Sequence, residues 1–257
     1  MSDCAVKLAL ITGGVRRLGA YIAAELADAG YALALHGHSD AKPDEGLKKA
    51  LERNDTRWEG FVADFSDDGA AAGLLGAVGE NFGRMPDLLV NNASLFEYDD
   101  ASSLNGQSLE SHMKINMMAP TMLTTLLARQ VPEGERAAVV NIVDQRVRNP
   151  NGDQLSYTLS KQALAESVRS LAVACADKLR VNGVAPGLTL ETEDYSEDQM
   201  DRLATNMPLQ RLSSPDDIAA AVRYLAGAGS VTGQILFVDG GAHMKSFDRD
   251  FMFMEHR

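Results

Sequence analysis

Three side chains in this sequence could deliver a proton to a substrate. Tyr157 and Lys161 are four residues apart, and Asp144 precedes the tyrosine by thirteen residues. A spacing of four on a helix puts both side chains on one face, where the lysine ammonium favours phenolate and lowers the pKa of Tyr157 toward neutral pH. A carboxylate at Asp144 would repel a carbonyl oxygen, but it suits a substrate that offers an N–H or a ring nitrogen in need of a proton. These residues therefore predict proton delivery to a nitrogen-containing substrate.

The composition limits the class of protein and its partners. The 257-residue chain is 45% hydrophobic and 23% charged, which suits a single domain with a full core. Its net charge of −12 repels phosphate backbones and anionic membrane surfaces, so nucleic acid and membranes are disfavoured as partners. A bound phosphate would need a local cluster of donors, and Arg16 with Arg17 is the candidate.

Signals for export or for metal binding are weak in this sequence. The apolar run from Leu8 to Ile11 is far too short to be a signal peptide or a membrane span. Cys4 and Cys175 provide neither a disulfide framework nor a zinc set, and we expect both to be small core residues. A cytoplasmic protein without a metal site is predicted.

Short apolar runs alternate with stretches of helical periodicity along the chain. Strands are predicted at Val6–Thr12, Ala32–His36, Trp58–Ala63, Leu88–Asn91, Ala138–Val143, Arg180–Val184 and Ile235–Val238. Helices are predicted at Leu18–Ala29, Asp44–Arg53, Asp67–Asn81, Leu109–Arg129 and Ser156–Lys178. This alternation predicts an α/β fold, a Rossmann-like, doubly wound parallel sheet in a single domain.

Two segments fall outside that alternation. The stretch from Gly187 to Ser214 is acidic and rich in turn formers, and it is either a mobile substrate lid or a plain surface excursion. The C-terminal tail, residues 243–257, includes the apolar run Phe251 to Met254. Because such a run is unfavourable in water, we expect the tail to pack against its own domain or a neighbouring subunit.

A glycine turn, Thr12 to Gly19, links the first strand to the first helix. Gly13 permits a tight turn, Gly14 lets the backbone approach a pyrophosphate, and Gly19 allows the helix to pack closely on the sheet. Free N–H groups at the start of the helix attract the anion. The alternative is a plain glycine turn without a ligand, but the context favours a dinucleotide site.

The chain resembles the short-chain dehydrogenase/reductase family over residues 5 to 242. The shared features are this turn, Asp64 after the third strand, Asn91-Asn92-Ala93 after the fourth, and the Tyr-x-x-x-Lys motif. Arg17 stands where the family pattern T-G-x-x-x-G-x-G has its middle glycine. The ending Arg-Leu-Gly is similar to that of pteridine reductases and dihydromonapterin reductases. A cationic side chain at this position should reach either the pyrophosphate or the substrate.

The resemblance implies a role for each matching residue. It implies that Asn116 supports a water-mediated proton relay to Lys161, and that Asp144 replaces the usual serine. The implied cofactor contacts are Gly13, Arg16, Arg17, Leu18, His38, Ser39, Asp64, Phe65, Asn91, Ala93, Tyr157, Lys161, Pro186, Gly187 and Thr189. The implied substrate contacts are Arg17, Ser94, Phe96, Asp144 and Tyr157, with the ring of Phe96 stacking on a pterin. The spacing of three residues between Tyr157 and Lys161 disfavours the family's enoyl reductases, which have six.

The end of the second strand favours NADPH over NADH. No acidic residue occurs there before Asp40, whereas a carboxylate would bind the ribose of NAD and repel a 2′-phosphate. Arg16, His38 and Ser39 are the expected donors to that phosphate. His36 and His38 are alternatively ordinary strand-end residues, and they lack a third ligand for a metal.

The leading hypothesis is an NADPH-dependent pteridine reductase acting on a dihydropterin, in a homotetramer as the family implies. An alternative is a short-chain reductase of an unrelated ketone or sugar. A third possibility is an NADPH-sensing scaffold without turnover. A purely structural role for the motif residues is also open. Tyr157 would then be an ordinary helix tyrosine, and Asp144 a turn residue whose hydrogen bonds are made locally.

Overall fold

The computed structural model describes residues 6–190 and 195–254, and it confirms the predicted α/β sheet. Seven parallel strands pair in the order β3-β2-β1-β4-β5-β6-β7. Their bounds are β1 Leu8–Ile11, β2 Ala32–Gly37, β3 Trp58–Val62, β4 Leu88–Asn91, β5 Ala137–Ile142, β6 Leu179–Pro186 and β7 Ile235–Val238. The order reverses between β1 and β4, so a crevice opens at the carboxyl ends of these strands, where ligands bind in such folds.

Helices cover both faces of the sheet. They are α1 Arg17–Asp28, α2 Glu45–Arg53, α3 Ala70–Phe82, α4 Gly106–Met113, α5 Ala119–Gln130, α6 Leu155–Ala174, α7 Glu197–Asn206 and α8 Pro215–Gly227. One core cluster packs α1, α2 and α8 on the sheet, and the other packs α3, α5 and α6 on the opposite face. Every residue of β1, β2, β4 and β5 is buried, as expected for strands covered on both sides.

Several element predictions differ from the structure. The helix predicted over Leu109–Arg129 begins earlier and is interrupted by a π-helical turn at Lys114–Met118. The helix predicted to reach Lys178 ends at Ala174. Helix α7 lies inside the segment predicted to be irregular, and α8 was not predicted.

The predicted lid segment and the tail pack against each other. Leu203 of α7, Met207, Ala242 and Phe251 form a buried cluster. The tail therefore packs on its own domain as far as Met254, while residues 191–194 of the lid segment and 255–257 of the tail lie outside the described residues.

No helix in the described ranges combines the length and apolar character needed to cross a membrane. The same ranges contain no group of three or more His, Cys, Asp or Glu side chains that could hold a metal ion. Of the two cysteines, Cys175 is buried as predicted, and Cys4 lies outside the described part of the chain.

Candidate active site

A cavity of about 750 Å³ opens at the carboxyl edge of the sheet. Its walls come from the glycine turn, from the segments after β4, β5 and β6, from α6, and from the C-terminal tail. The predicted site residues that line it are Gly13, Arg16, Arg17, Leu18, Ala93, Ser94, Phe96, Asp144, Tyr157, Lys161, Pro186, Gly187 and Thr189. Its size lies within the range of small-molecule sites.

The glycine turn is fixed by close backbone packing. A Cβ added at Gly19 would lie 1.9 Å from the carbonyl oxygen of Gly13, so only glycine fits there. Gly13 has φ +60° and contacts Ala93, whose N–H donates to the hydroxyl of Thr12. This turn at the start of α1 fits the dinucleotide site that the sequence predicts. A side chain at Gly19 would push the Gly13 backbone out of the position from which it can approach a pyrophosphate.

His36 holds this turn from behind, a role that the sequence did not reveal. Its Nδ1 accepts a hydrogen bond from the Gly13 N–H at 3.1 Å, and its Nε2 lies 2.9 Å from the Ala63 carbonyl oxygen. These partners require the neutral tautomer with the proton on Nε2. Burial lowers the pKa of His36, which keeps that tautomer populated.

Arg17 has a left-handed backbone, with φ +53°. Its side chain lines the cavity and is exposed, and it has no hydrogen bond or ion pair with the described part of the chain. Residues other than glycine rarely adopt this backbone conformation, which costs them about 1–2 kcal/mol. A strained, unpaired cation facing the cavity is what a ligand anchor requires.

The structure brings Asp144 and Tyr157 into direct contact. The Tyr157 hydroxyl donates to Asp144 Oδ2 at 2.9 Å. The other oxygen, Oδ1, accepts from the backbone N–H of Arg146 at 2.8 Å. Asp144 is therefore held as an acceptor at the position where the sequence predicted a proton-delivery pair.

The pKa of Tyr157 differs from the sequence prediction. Burial raises it well above its usual value, and the negative charge of Asp144 raises it further. Lys161 instead donates to the Ile142 carbonyl at 2.8 Å, and its Nζ lies 5.7 Å from the centre of the Tyr157 ring. Burial lowers the pKa of Lys161 to about 8. The predicted lowering of the Tyr157 pKa by Lys161 is thus absent, because burial and, after it, the charge of the neighbouring carboxylate raise that pKa.

Asn116 lies in the π-helical turn, fully buried and away from the cavity wall. Its Oδ1 accepts from the Leu95 N–H at 2.7 Å, and its Nδ2 donates to Ser160 Oγ at 2.9 Å. The Ser94 hydroxyl also donates to Asn116 Oδ1, at 3.1 Å. These bonds fix the loop after β4 on α6, while the proton-relay role of Asn116 stays a prediction.

Phe96 packs against Tyr157. The two rings meet edge to face with centroids 4.7 Å apart. Phe96 remains 49% exposed, so one part of its ring is open to a ligand. Aromatic side chains in this position can stack on a flat heteroaromatic ring.

Arg146 and Asp250 are cavity residues that the sequence analysis missed. Arg146 Nη2 donates to Asp250 Oδ2 at 2.5 Å, and both side chains are buried. Asp250 belongs to the tail, whose residues Asp250, Phe251 and Met252 line the cavity. No local pattern marks a pair separated by 104 residues, although an arginine two residues after Asp144 was visible in the sequence.

The residues predicted to bind the adenosine end of the cofactor either lie outside this cavity or already pair with another side chain of the protein. Arg16 forms an exposed ion pair with Asp40 at 3.1 Å, so the expected phosphate donor already has a carboxylate partner. His38 Nδ1 is 3.6 Å from Asp64, whose Oδ1 accepts from the Ser66 N–H. That bond from Ser66 lowers the pKa of Asp64.

Three further predicted contacts are placed differently from one another. Ser39 is exposed beside His38. Phe65 is buried and stacks on His36 with ring centroids 4.6 Å apart. The Asn91 side chain is buried inside the sheet and donates to Asn141, so it does not face the cavity.

Thr189 and the segment after β6 complete the cavity wall. The Thr189 hydroxyl donates to the Gly187 carbonyl at 2.8 Å and bonds with Ser213 at 3.0 Å. A Cβ at Gly187 would lie 2.9 Å from Asp239, so the segment passes close to the chain after β7. Thr189 joins both ends of the described lid segment.

A protein-family model described as Enoyl-(Acyl carrier protein) reductase matches residues 14–243. Among proteins of similar sequence is the 3-oxoacyl-[acyl-carrier-protein] reductase FabG of Pseudomonas aeruginosa. It is 30% identical over 243 residues, which cover 93% of this chain and 98% of that protein. The description of the family model and the name of this relative give two different activities. The matches therefore identify a family and not a substrate.

Two similar solved structures are described as FolM Alternative dihydrofolate reductase 1 with NADP. The structure from Brucella canis has a TM-score of 0.82 and 34% identity, and the match covers 97% of this chain and 98% of the other. The structure from Brucella suis has a TM-score of 0.81 and 33% identity, with 96% and 98% covered. Identity at this level over almost the full length extends the likeness beyond the fold.

Proposed function

The chain belongs to the short-chain dehydrogenase/reductase family, and from this premise we propose that it reduces a dihydropterin to the tetrahydropterin with NADPH. It is an NAD(P)-dependent oxidoreductase, because the family model spans residues 14–243. NADP occupies both similar Brucella structures and is the cofactor of this chain. The pterin is the part that needs a test.

The observation that carries the proposal is the hydrogen bond between Tyr157 and Asp144. A carboxylate beside the general acid would repel the alkoxide that forms when a ketone is reduced. An N–H group of a pterin ring, in contrast, can donate to Asp144, and the reacting nitrogen accepts a proton. Arg17 and Phe96 border the same space, and they suit the oxo edge and the flat face of such a ring.

The residues divide the proton chemistry among them. Reduction of a C=N bond adds a hydride to carbon and a proton to nitrogen, and NADPH supplies the hydride when it is bound. Tyr157 is buried and keeps its proton at neutral pH, so it is a donor that needs no prior activation. Asp144 orients that hydroxyl, and Lys161 lies on the same face of α6 to complete the relay.

A ketoacyl substrate is the second candidate, favoured by the similarity to FabG. Asp144→Ser separates the two functions. For a pterin reductase, this change removes the acceptor for the ring N–H and should lower kcat/KM for dihydropterins by about 100-fold or more. Activity on a ketone should be unchanged or higher, because serine can donate to a carbonyl oxygen.

The assay follows NADPH oxidation with dihydromonapterin, dihydrobiopterin, dihydrofolate and simple ketones. Tyr157→Phe serves as the control, since it should abolish turnover of every substrate through loss of the proton donor. A wild-type protein that turns over ketones and no pterin would refute the pterin proposal. NADPH binding without turnover of any substrate would favour a sensor.

We also propose a cytoplasmic homotetramer, as is common in this family. Large apolar side chains exposed on α5 and α6, Met122 and Leu159, are compatible with subunit contacts. Light scattering of the purified protein measures the number of subunits.

A further inference from the structure

The C-terminal tail reaches the catalytic carboxylate through one buried arginine. Asp250 in the tail and Arg146 after β5 form an ion pair at 2.5 Å, with side chains 4% and 7% exposed. A buried pair of this kind contributes little to stability compared with apolar residues of similar size. Its position at the cavity wall therefore calls for a role in the site itself.

Apart from the ring of Phe96, whose centre is 5.7 Å from the guanidinium carbon, the other contacts of Arg146 lead to Asp144 and Tyr157. Its Nη1 donates at 3.1 Å to Gln154 Oε1, and Gln154 immediately precedes helix α6, which carries Tyr157. The guanidinium carbon lies 5.3 Å from the centre of the Tyr157 ring. Its Nε is 3.4 Å from Asp144 Oδ1, too far for a well-formed hydrogen bond.

The buried Nε of Arg146 has no hydrogen-bond partner in the described part of the chain. Asp250 and Gln154 hold the two terminal nitrogens and so keep the guanidinium beside Asp144 without a close bond to it. Without Asp250, the fork of the guanidinium could close on Asp144 and bind it bidentately. The carboxylate would then be withdrawn from Tyr157 and from the substrate.

We propose that Arg146 and Asp250 are positioning residues for proton delivery: Asp250 restrains the Arg146 cation so that Asp144 stays available to Tyr157. The C-terminal tail is thereby part of the active site. This inference rests on the proposed roles of Asp144 and Tyr157, but not on the substrate being a pterin.

Other charged groups face the pair and remain unchanged in the test. Lys161 approaches from α6, and Arg17 lines the cavity from the glycine turn. Behind Asp250, its backbone N–H donates to Asp153 at 2.7 Å, and Asp153 also accepts from Arg249 at 2.8 Å. These groups set a constant background charge, so a variant of Arg146 or Asp250 reports its own effect.

Opposite changes of charge should shift the pH profile in opposite directions. Arg146→Gln removes the cation beside Asp144 and Tyr157, so the profile of kcat/KM should move to higher pH by about one unit or more. Asp250→Asn keeps the size of the side chain but leaves Arg146 uncompensated, and its amide has one acceptor oxygen where the carboxylate accepts from both Arg146 and the Met252 N–H. Its profile should move to lower pH by up to about one unit. Arg146→Lys keeps the charge and should restore the position of the profile.

Arg249→Gln is the matched control, because it weakens the attachment of the tail to Asp153 without changing the charge next to Asp144. The profiles are measured with any substrate that the wild type reduces, so a failure of the pterin proposal does not affect the result. Tyrosine labelled with ¹³C at Cζ provides a second readout by NMR, and the Tyr157 signal is assigned by its loss in Tyr157→Phe.

Opposite shifts for Arg146→Gln and Asp250→Asn, with none for Arg249→Gln, would support the proposal. Shifts in the same direction, or activity losses without a shift, would overturn it, since a purely structural tail predicts those results. If Arg146→Gln does not fold, Asp250→Asn against Arg249→Gln decides alone. An unshifted Asp250→Asn profile then refutes the role of the tail.

Discussion

Replacing Arg17 with glycine should raise the stability of the protein and weaken substrate binding. The left-handed backbone of Arg17, at φ +53°, costs about 1–2 kcal/mol that glycine would not incur. Glycine loses about 0.5–1 kcal/mol through its greater freedom in the unfolded chain. The net gain in the free energy of unfolding is therefore between about 0 and 1.5 kcal/mol.

The same change should impair catalysis because it removes the anchoring cation. A hydrogen bond from a charged group contributes about 1.5–3 kcal/mol when its partner is otherwise left unpaired. That energy corresponds to a fall of about 10- to 100-fold in kcat/KM for the dihydropterin. Arg17 has no partner in the described part of the chain, so little stability is lost with its side chain.

Urea unfolding without ligand and steady-state kinetics with NADPH measure the two effects separately. Asp55→Gly is the matched control, since Asp55 is exposed, has φ +48° and lies in the turn after α2, away from the cavity. It should gain some stability and keep full activity. An Arg17→Gly protein that is less stable, or that keeps its kcat/KM, would refute the interpretation of Arg17 as a strained ligand anchor.

Two predictions concern pH. Burial lowers the pKa of His36. Below about pH 6.5 the histidine therefore binds a proton in the unfolded chain but not in the folded chain. The free energy of unfolding should fall by at most about 1.4 kcal/mol per pH unit as the pH drops from about 6.5 toward the lowered pKa. His36→Gln should make this slope smaller, as measured by urea unfolding at pH 7.5 and 5.5. Burial lowers the pKa of Lys161 to about 8, so its charge is present below that pH and lost above it. The affinity for NADPH, measured by fluorescence titration, should weaken as the pH rises through 8 in the wild type but not in Lys161→Met. An equal pH dependence in both proteins would contradict a role of the Lys161 charge in binding the cofactor.

The sheet and the glycine turn could be predicted because their signals are local. Short apolar runs mark most of the strands, which are four to eight residues long, and the packing of Gly19 on Gly13 follows from the turn itself. The start of α8 also had a local signal, in Ser214 as the N-cap, Pro215 at the first position and two acidic residues in the first turn. Ser196 is a similar N-cap signal before α7.

The contacts that support the candidate site could not be predicted, because they come from distant parts of the chain. Asp99 accepts from the backbone N–H of Ser156 at the start of α6, 57 residues away. The Asn116 side chain holds the loop after β4 through a π-helical turn that no periodicity indicates. In neither case do the sequence neighbours of the polar residue indicate its partner, so the contact becomes visible only after folding.

The electrostatic character of the cavity reverses that of the molecule, and this reversal favours an electron-rich, anionic set of ligands. The chain has a net charge of −12, yet the cavity is lined by the cations Arg16, Arg17, Arg146 and Lys161 against the carboxylates Asp144 and Asp250. Burial removes the aqueous screening of Arg146, Asp250 and Lys161, whereas Arg16 and Arg17 are exposed to solvent. Asp250 neutralises Arg146, and Asp40 pairs with Arg16, so Arg17 and Lys161 are the cations left for ligands. One lies at the glycine turn and the other beside Tyr157, so together they can hold an anionic cofactor, and in the proposed reaction Asp144 would accept from an N–H of the substrate.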